Sequence, residues 1–375
     1  MSRSQTKNAS GSKPKGFTLL ELLIGSAIML IVVVAALMVY SKSSQISVDQ
    51  QQYSEIQNDV RSAMYMIMRD TRMAGAGLPV QYQMYSISAV DNENQGTAAL
   101  VQPDRLKIMG NIEYPLILTI QSYQGGATNV TLADYSFEQY PYPDSFYQNM
   151  YVLVIPNPSA GCVAGEVRIV STVTHPAGGT GEMLNFSPGL APNVTPPGGL
   201  SGTCADSSNY TGGLVMLVNI DEYWLDVTGS YTGLTPGTNG YLGIPGVFYV
   251  TKNGVNIPVA QNIENFQVQF NGDFDGSGQL NGFCNWDQAP NGSSEIWTVE
   301  QVAAIRQVKV FLLGRTANAF VSVSGTPPGT IAAYMRPAMA NSPAATTNDM
   351  HRRFLLQSTS NIRNMSLNLY NEDQR

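Results

Sequence analysis

The hydrophobic pattern of the chain begins with one long apolar run near its start. From Phe17 to Tyr40 the only charged residue is Glu21. At a rise of ~1.5 Å per residue, these 24 residues would form a helix about 36 Å long, enough to cross a hydrocarbon core of ~30 Å. An ionised carboxylate inside a bilayer costs about 2.5 kcal/mol or more, so Glu21 is a candidate functional residue. The pattern therefore predicts one membrane-spanning helix with an acid near its start.

Beyond this run the apolar positions recur every three or four residues, at Tyr53, Ile56, Val60, Met64 and Ile67. This spacing is typical of one face of an amphipathic helix. No proline occurs between Phe17 and Leu78, and the segment 75–79 then supplies two glycines and a proline, which end helices. The sequence predicts a single helix from Phe17 to about Met73, with its second half lying on a globular head.

From about residue 80 the apolar period changes to two, and clusters of Asn, Gly, Pro and Ser separate the alternating segments. One short helix is predicted within 298–305. With 35 Gly and 21 Pro in the chain, we expect an antiparallel β-rich head with long loops, and an α+β fold overall. The predicted strands are 106–109, 116–120, 151–155, 167–173, 214–218, 248–250, 266–270 and 308–312.

The distribution of charge predicts on which side of the membrane each end of the predicted helix lies. The chain has 20 basic and 27 acidic residues, a formal net charge of −7. The leader before Phe17 holds four of the cations and no acid, so its removal leaves 16 basic against 27 acidic residues, or −11. Such an acidic protein is not expected to bind nucleic acid through bulk electrostatics. The basic leader predicts a cytoplasmic flank, with the head across the membrane in a periplasm-like compartment.

The residues offer little support for catalysis. There is no CxxC pair, nucleophile elbow, phosphate-binding loop or HExxH motif, so no enzyme is predicted. The three cysteines, Cys162, Cys204 and Cys284, fit an oxidising compartment. Cys162 and Cys204 bracket a Gly/Pro-rich stretch and form the favoured disulfide, although the spacing does not settle the connectivity.

One loop in the head carries candidate metal chemistry. The string from Asp273 to Asn281 places oxygen-bearing side chains at alternate positions around a glycine turn, as in EF-hand loops. Asp273, Asp275 and Ser277 would supply side-chain oxygens and Gln279 its carbonyl, which predicts a weak calcium site, the only cofactor suggested. Position twelve of such a loop is Cys284 instead of a bidentate Glu, and Asp287 is the acid that could replace it. The alternative is an Asp/Gly hairpin turn. Repulsion between the two carboxylates predicts a loose loop without a cation.

The string Gly16-Phe17-Thr18-Leu19-Leu20-Glu21-Leu22-Leu23 resembles the processing site of type IV prepilins and type II secretion pseudopilins. The resemblance implies cleavage after Gly16 by a membrane peptidase and methylation of the new N-terminal Phe17. It also implies that Glu21 pairs with the N-terminal amine of a neighbouring subunit, an arrangement in which a partner compensates the buried charge. The alternative is a plain single-pass anchor that happens to contain a Glu.

Shorter segments resemble PilW-like minor pilins in particular. They are the RDxRMAG-type string at 69–75, the strand-like string at 262–270, and 352–354 with 362–364 near the C-terminus. The alternative interpretation of 69–75 is a solvated helix end. Leu30 and Met38 stand where bulk filament subunits carry Gly and Pro, which favours a minor pilin. The alternatives are a J-type pseudopilin of a type II secretion system and, from another class, a membrane-tethered adhesin.

The resemblance implies an organisation and a set of partners. The expected domains are a leader at 1–16, a transmembrane and assembly helix at 17–75 and a β-rich head at 76–375. The expected partners are other pilins, prepilin peptidase, the inner-membrane assembly platform and the lipid bilayer. The expected location is the bacterial inner membrane, with one crossing and the head in the periplasm, and then a pilus or pseudopilus near whose tip the protein takes part in assembly.

Overall fold

The computed structural model describes about three fifths of the chain. The leader before Gly16, Cys162 and Cys204 lie outside that part, and the predicted disulfide lies outside it with them. The described residues are 16–78, 86–90, 103–111, 117–123, 127–133, 147–157, 159, 165–174, 182–187, 210–226, 246–252, 254–288, 290, 297–317, 336–342, 344 and 351–362.

The predicted long helix is confirmed as α1, Leu19–Arg72, which has 54 residues. Arg69 and Arg72 occupy its last turn, where cations favour the helix dipole. Gly75 follows with a φ of 74°, a left-handed conformation that glycine adopts without steric cost. By length and composition the apolar part of α1 is able to cross a membrane.

The head is built from antiparallel strands, which confirms the predicted fold class. Each predicted strand is present, and the short predicted helix is α2, Val299–Ala303. Four-residue strands such as β1, β4 and β7 were not predicted, because they are too short to give a clear alternation. The strands are β1 Ile87–Val90, β2 Arg105–Gly110, β3 Ile117–Ser122, β4 Asn129–Leu132, β5 Tyr151–Ile155, β6 Glu166–Thr174, β7 Met183–Phe186, β8 Leu214–Asp226, β9 Gly246–Lys252, β10 Val255–Gly272, β11 Ile305–Arg315 and β12 Arg353–Asn361.

The 13-residue strand β8 organises the head, because its two halves pair with different neighbours. Its first half pairs with β3 and β5, and its second half pairs with β2 and β9. From β3 the pairing runs through β4, β7, β6 and β5 and returns to β8, so these strands close on themselves. We call this ring the closed barrel. The other strands, in the order β12, β11, β10, β9 and β8, with β2 and β1 attached to β8, form the helix-covered sheet.

The helix-covered sheet buries its inner face against the C-terminal part of α1. Ile56, Val60 and Ile67 of α1 are buried in one core with Phe266 and Leu312 of the strands, which confirms the predicted amphipathic face. Gly314 marks the closest approach of helix and sheet. A Cβ atom at Gly314 would lie 2.4 Å from Ile56 Cγ2 and 2.8 Å from Val60 Cγ2, so this contact requires the absence of a side chain.

The closed barrel has a core of its own. Each of its six strands contributes apolar side chains to the interior, which also contains a buried polar network. The Glu166 carboxylate accepts hydrogen bonds from Tyr123 Oη at 2.6 Å and from Arg168 Nε and Nη2 at 3.1 and 2.8 Å. Burial first, and then the Glu166 hydrogen bond, raise the pKa of Tyr123 above its ordinary range. The sequence analysis did not predict this network.

Candidate assembly site

The N-terminal acid of α1 takes part in a reciprocal hydrogen-bonded cap. Glu21 Oε2 accepts from Thr18 N at 2.9 Å and from Thr18 Oγ1 at 3.0 Å. In return, Glu21 N donates to Thr18 Oγ1 at 3.3 Å. This is a capping box, in which the N-cap residue just before the helix and the residue three positions later satisfy each other's backbone N–H groups. The box explains locally why a helix starts here, two residues after Gly16.

The cap engages only part of the Glu21 carboxylate. Among the described residues, Oε1 of Glu21 receives no hydrogen bond, and both Thr18 and Glu21 are exposed on the helix surface. One carboxylate can therefore hold its own helix start and still offer an oxygen to a cation from outside. Cleavage after Gly16 would place a new amine at Phe17, which is 86% exposed. The cleavage, the methylation and the pairing of Glu21 with an amine stay predictions.

The apolar run of α1 leaves large apolar side chains uncovered. Leu20, Ile31 and Val39 are 67%, 67% and 69% exposed, whereas the core-facing positions after residue 52 are buried. An apolar surface of this extent needs lipid or other apolar helices around it. This distinguishes α1 from the core helix of a soluble protein, and it makes the segment a candidate for membrane anchoring and for helix packing.

The end of α1 is fixed to the head by a buried acid. Asp70 is 1% exposed, so the interpretation of 69–75 as a solvated helix end is wrong for this residue. Its carboxylate accepts from Arg69 Nε at 2.6 Å and from Tyr223 Oη of β8 at 2.5 Å. Burial, followed by the nearby Asp70 charge, raises the pKa of Tyr223 above its usual range. The Asp70–Tyr223 hydrogen bond therefore orients the last turn of α1 on β8.

Two of the other motif segments meet in a buried ion pair. Glu264 lies in the string at 262–270, and Arg353 lies in the segment 352–354. Glu264 Oε2 accepts from Arg353 Nε at 2.6 Å and Oε1 from Arg353 Nη2 at 3.1 Å. The side chains are 1% and 5% exposed. The pair joins β10 to β12 across the intervening β11, a contact that no spacing in the sequence indicates.

The Asp/Gly loop after β10 is closed by its own hydrogen bonds. Asp273 Oδ2 accepts from Gly278 N at 2.9 Å, and Asp275 Oδ1 accepts from Ser277 N at 3.0 Å. The Ser277 Oγ atom accepts from Gln279 N at 3.3 Å. Hydrogen bonds from Ser277 lower the pKa of Asp275 to about 2. Backbone donors thus offset the carboxylate repulsion from which a loose loop was predicted.

These contacts bear on the predicted calcium site without establishing it. Among the described residues, no group of three or more His, Cys, Asp or Glu side chains could hold a metal ion. A site here would depend on hydroxyl and backbone oxygens for most of its ligands. Cys284, at position twelve of the loop, donates from Sγ to Phe270 O at 3.4 Å, and burial raises the pKa of its thiol to about 11. Its thiol is thus unsuited to replace the missing bidentate acid.

Comparisons with known sequences found an N-terminal family motif and a pilin-like relative. A family described as "Prokaryotic N-terminal methylation motif" matches residues 11–37. The pilin-like protein PilA3 of Thermus thermophilus is 29% identical over 124 residues, which is 33% of this chain and 49% of that protein. The chain therefore spans about half the length of this curated relative.

A solved structure, a type IV-like pilin from Thermus thermophilus, aligns with 82% of this chain and 97% of its own at 11% identity. Its TM-score is 0.30, so the superposition adds nothing to the fold described above. The methylation motif and the pilin-like relative support the type IV pilin superfamily that was inferred from the residues around Gly16. Proteins of this superfamily are structural subunits and not enzymes.

Proposed function

We propose that this chain is a PilW-like minor pilin that prepilin peptidase cleaves after Gly16 and that then takes part in pilus assembly. The observation that carries the proposal is the processing string at 16–23 joined to an exposed apolar helix and a large antiparallel head. The apolar helices would bundle with those of other pilins, and Glu21 would fix their register through a neighbour's amine. The large head would contact other subunits near the tip, after an inner-membrane stage with the head in the periplasm.

The first experiment tests processing. The wild-type protein purified from membranes should have an intact mass that corresponds to a chain beginning at a methylated Phe17. Gly16→Leu should keep residues 1–16 and stay out of sheared filaments. A wild-type mass that still includes the leader would overturn the prepilin interpretation.

The second experiment separates the two roles of Glu21. Gln also completes a capping box, so Glu21→Gln should keep the helix start but remove the charge. If amine pairing matters, Glu21→Gln and Glu21→Ala should both be cleaved normally and both be depleted at least tenfold from filaments. Normal incorporation of Glu21→Gln beside a failing Glu21→Ala would assign the residue to capping alone. Thr18→Val is the matched control, since it weakens the cap and keeps the charge.

The J-type pseudopilin alternative shares the processing site and the fold class. A deletion strain distinguishes the two. A minor pilin should be needed for surface pili, whereas a pseudopilin should be needed for export of secreted enzymes. Complementation with the wild-type chain and with Gly16→Leu shows whether the phenotype depends on processing.

A further inference from the structure

The outermost strand of the helix-covered sheet, β12, has one free edge. Within the described part of the chain it pairs with β11 alone, from Arg353 opposite Arg315 to Asn361 opposite Gln307. The pairing is continuous and contains no bulge. A strand in this position presents backbone N–H and C=O groups that are chemically ready to receive another strand.

The hydrogen bonds to β11 show which residues face outward. Thr316 N donates to Arg352 O and Ile362 N donates to Arg306 O, each at 2.9 Å. In an antiparallel ladder the hydrogen-bonded positions alternate, so the even-numbered residues of β12 bond to β11. The backbone groups of Leu355, Gln357 and Thr359 therefore point to the free edge, and no described residue pairs with them.

The sequence of β12 carries little of the usual protection of an edge. Natural sheets block free edges with charged side chains, prolines or bulges. The one charged residue of β12 is Arg353 at its start, whose side chain is buried in the ion pair with Glu264, and the strand contains no proline. Its inner face is held in place, since Phe354 packs edge-on against Tyr53 of α1 with ring centroids 6.5 Å apart. The edge is thus both regular and anchored.

We propose that the free edge of β12 pairs with β12 of a second copy of this chain, antiparallel and centred on Gln357. In this register Leu355 lies opposite Thr359 and Arg353 lies opposite Asn361, so outward-facing residues meet only outward-facing residues. The outward N–H groups of Leu355, Gln357 and Thr359 then face outward C=O groups of the second copy, and no charge faces a like charge. The two central Gln357 amides carry complementary donors and acceptors. This inference concerns the head and does not depend on the proposed filament role.

A pair of cysteine variants tests the register in the full-length protein in detergent micelles. Directly opposite hydrogen-bonded residues have Cα atoms about 5.5 Å apart, within the range of a disulfide. Gln357→Cys should therefore form an intermolecular disulfide under mild oxidation. In the same register the two Thr359 residues lie four positions, or ~14 Å, apart along the strand, so Thr359→Cys should not form this disulfide. We expect at least five times more covalent dimer from Gln357→Cys than from Thr359→Cys, with the wild type as background for the native cysteines.

Association through the apolar helix would bring two heads together without a fixed register, so equal yields from the two variants would overturn the proposal. So would a Gln357→Cys yield at the wild-type level. A second test addresses the backbone. Thr359→Pro removes an outward N–H and leaves the β11 ladder intact, so it should abolish the Gln357→Cys cross-link, whereas Thr359→Ala should preserve it. Persistence of the cross-link in the Thr359→Pro background contradicts strand pairing.

Discussion

The helix-covered sheet and the closed barrel bury their apolar faces in different ways. Both are made of antiparallel strands, and both include part of β8. The helix-covered sheet covers its apolar face with α1 and, among the described residues, keeps a free edge at β12. The closed barrel needs no helix, because its strands curl until their apolar faces meet and no edge remains. A single strand can therefore support two cores when its two halves pair with different neighbours.

The helix-covered sheet and the closed barrel also place their buried charges differently. In the helix-covered sheet, Glu264 and Arg353 come from strands 89 residues apart in the sequence and join them. In the closed barrel, Glu166 and Arg168 are two residues apart on β6, where alternation puts both side chains on the interior face. The first pair fixes the arrangement of strands. The second adds a polar group to the interior of a ring that the backbone already closes.

The largest expected effect is on the closed barrel. Glu166→Gln would remove the carboxylate charge that pairs with the Arg168 guanidinium, whose side chain is 4% exposed. Breaking a buried pair typically costs about 3–5 kcal/mol. We expect a loss of this size in the free energy of unfolding of the barrel, measured by denaturant titration with hydrogen exchange.

Hydrogen exchange shows whether the closed barrel and the helix-covered sheet lose stability separately in Glu166→Gln. Amides of β5 and β6 should lose protection in Glu166→Gln, while those of β10 and β11 keep it. An equal loss of protection in the closed barrel and in the helix-covered sheet would show that they unfold as one unit. The double variant Glu166→Leu/Arg168→Met, which removes both charges of this pair, is the matched control and should recover most of the stability.

The second prediction tests the helix-covered sheet. Gly314→Val would force atoms into the space of Ile56 and Val60, and overpacking typically costs about 1–3 kcal/mol. The free energy of unfolding should fall by about this amount, with exchange protection lost in β10 and β11 and retained in β5 and β6. Gly314→Ala with Ile56→Ala should be less destabilised than the sum of its single variants. Additive effects would contradict a direct contact.

The third prediction concerns the loop that follows β10. A calcium ion bound by Asp273, Asp275, Ser277 and Gln279 is expected to be weak, with a Kd on the order of 10⁻⁴ to 10⁻³ M. At a tenfold excess over Kd, calcium should stabilise the protein by about 1.4 kcal/mol. Thermal melts in calcium, magnesium and chelator measure this. Identical shifts for wild type and Asp273→Ala/Asp275→Ala would leave only the hairpin-turn interpretation.

The smallest expected effect is on thiol reactivity. If Cys162 and Cys204 form the predicted disulfide, the denatured and unreduced protein should present one reactive thiol, and the reduced protein three. In the native protein Cys284 should react more slowly than a free cysteine at pH 8, because its raised pKa keeps the thiol protonated. Three thiols without reductant would rule out the pairing.

The sequence by itself determined the features that depend on local periodicity. The apolar run, the amphipathic face of α1 and the alternating strands could all be predicted, because each follows from residues close together in the chain. The capping box also follows from a spacing of three, although Glu21 was interpreted only as a partner for another subunit. The processing string at 16–23 could be recognised from the sequence without knowledge of the fold.

Tertiary structure alone decided which distant residues meet. The closure of the barrel, the Asp70–Tyr223 hydrogen bond and the Glu264–Arg353 pair join segments from 89 to 153 residues apart or depend on the register between strands. Gly314 resembled any glycine in a strand until α1 was seen to lie on it. Local patterns predict which face of an element is buried, but they do not predict which other segment covers that face. That partner is set by the packing of the whole head, since register and close approach are properties of two segments and not of one.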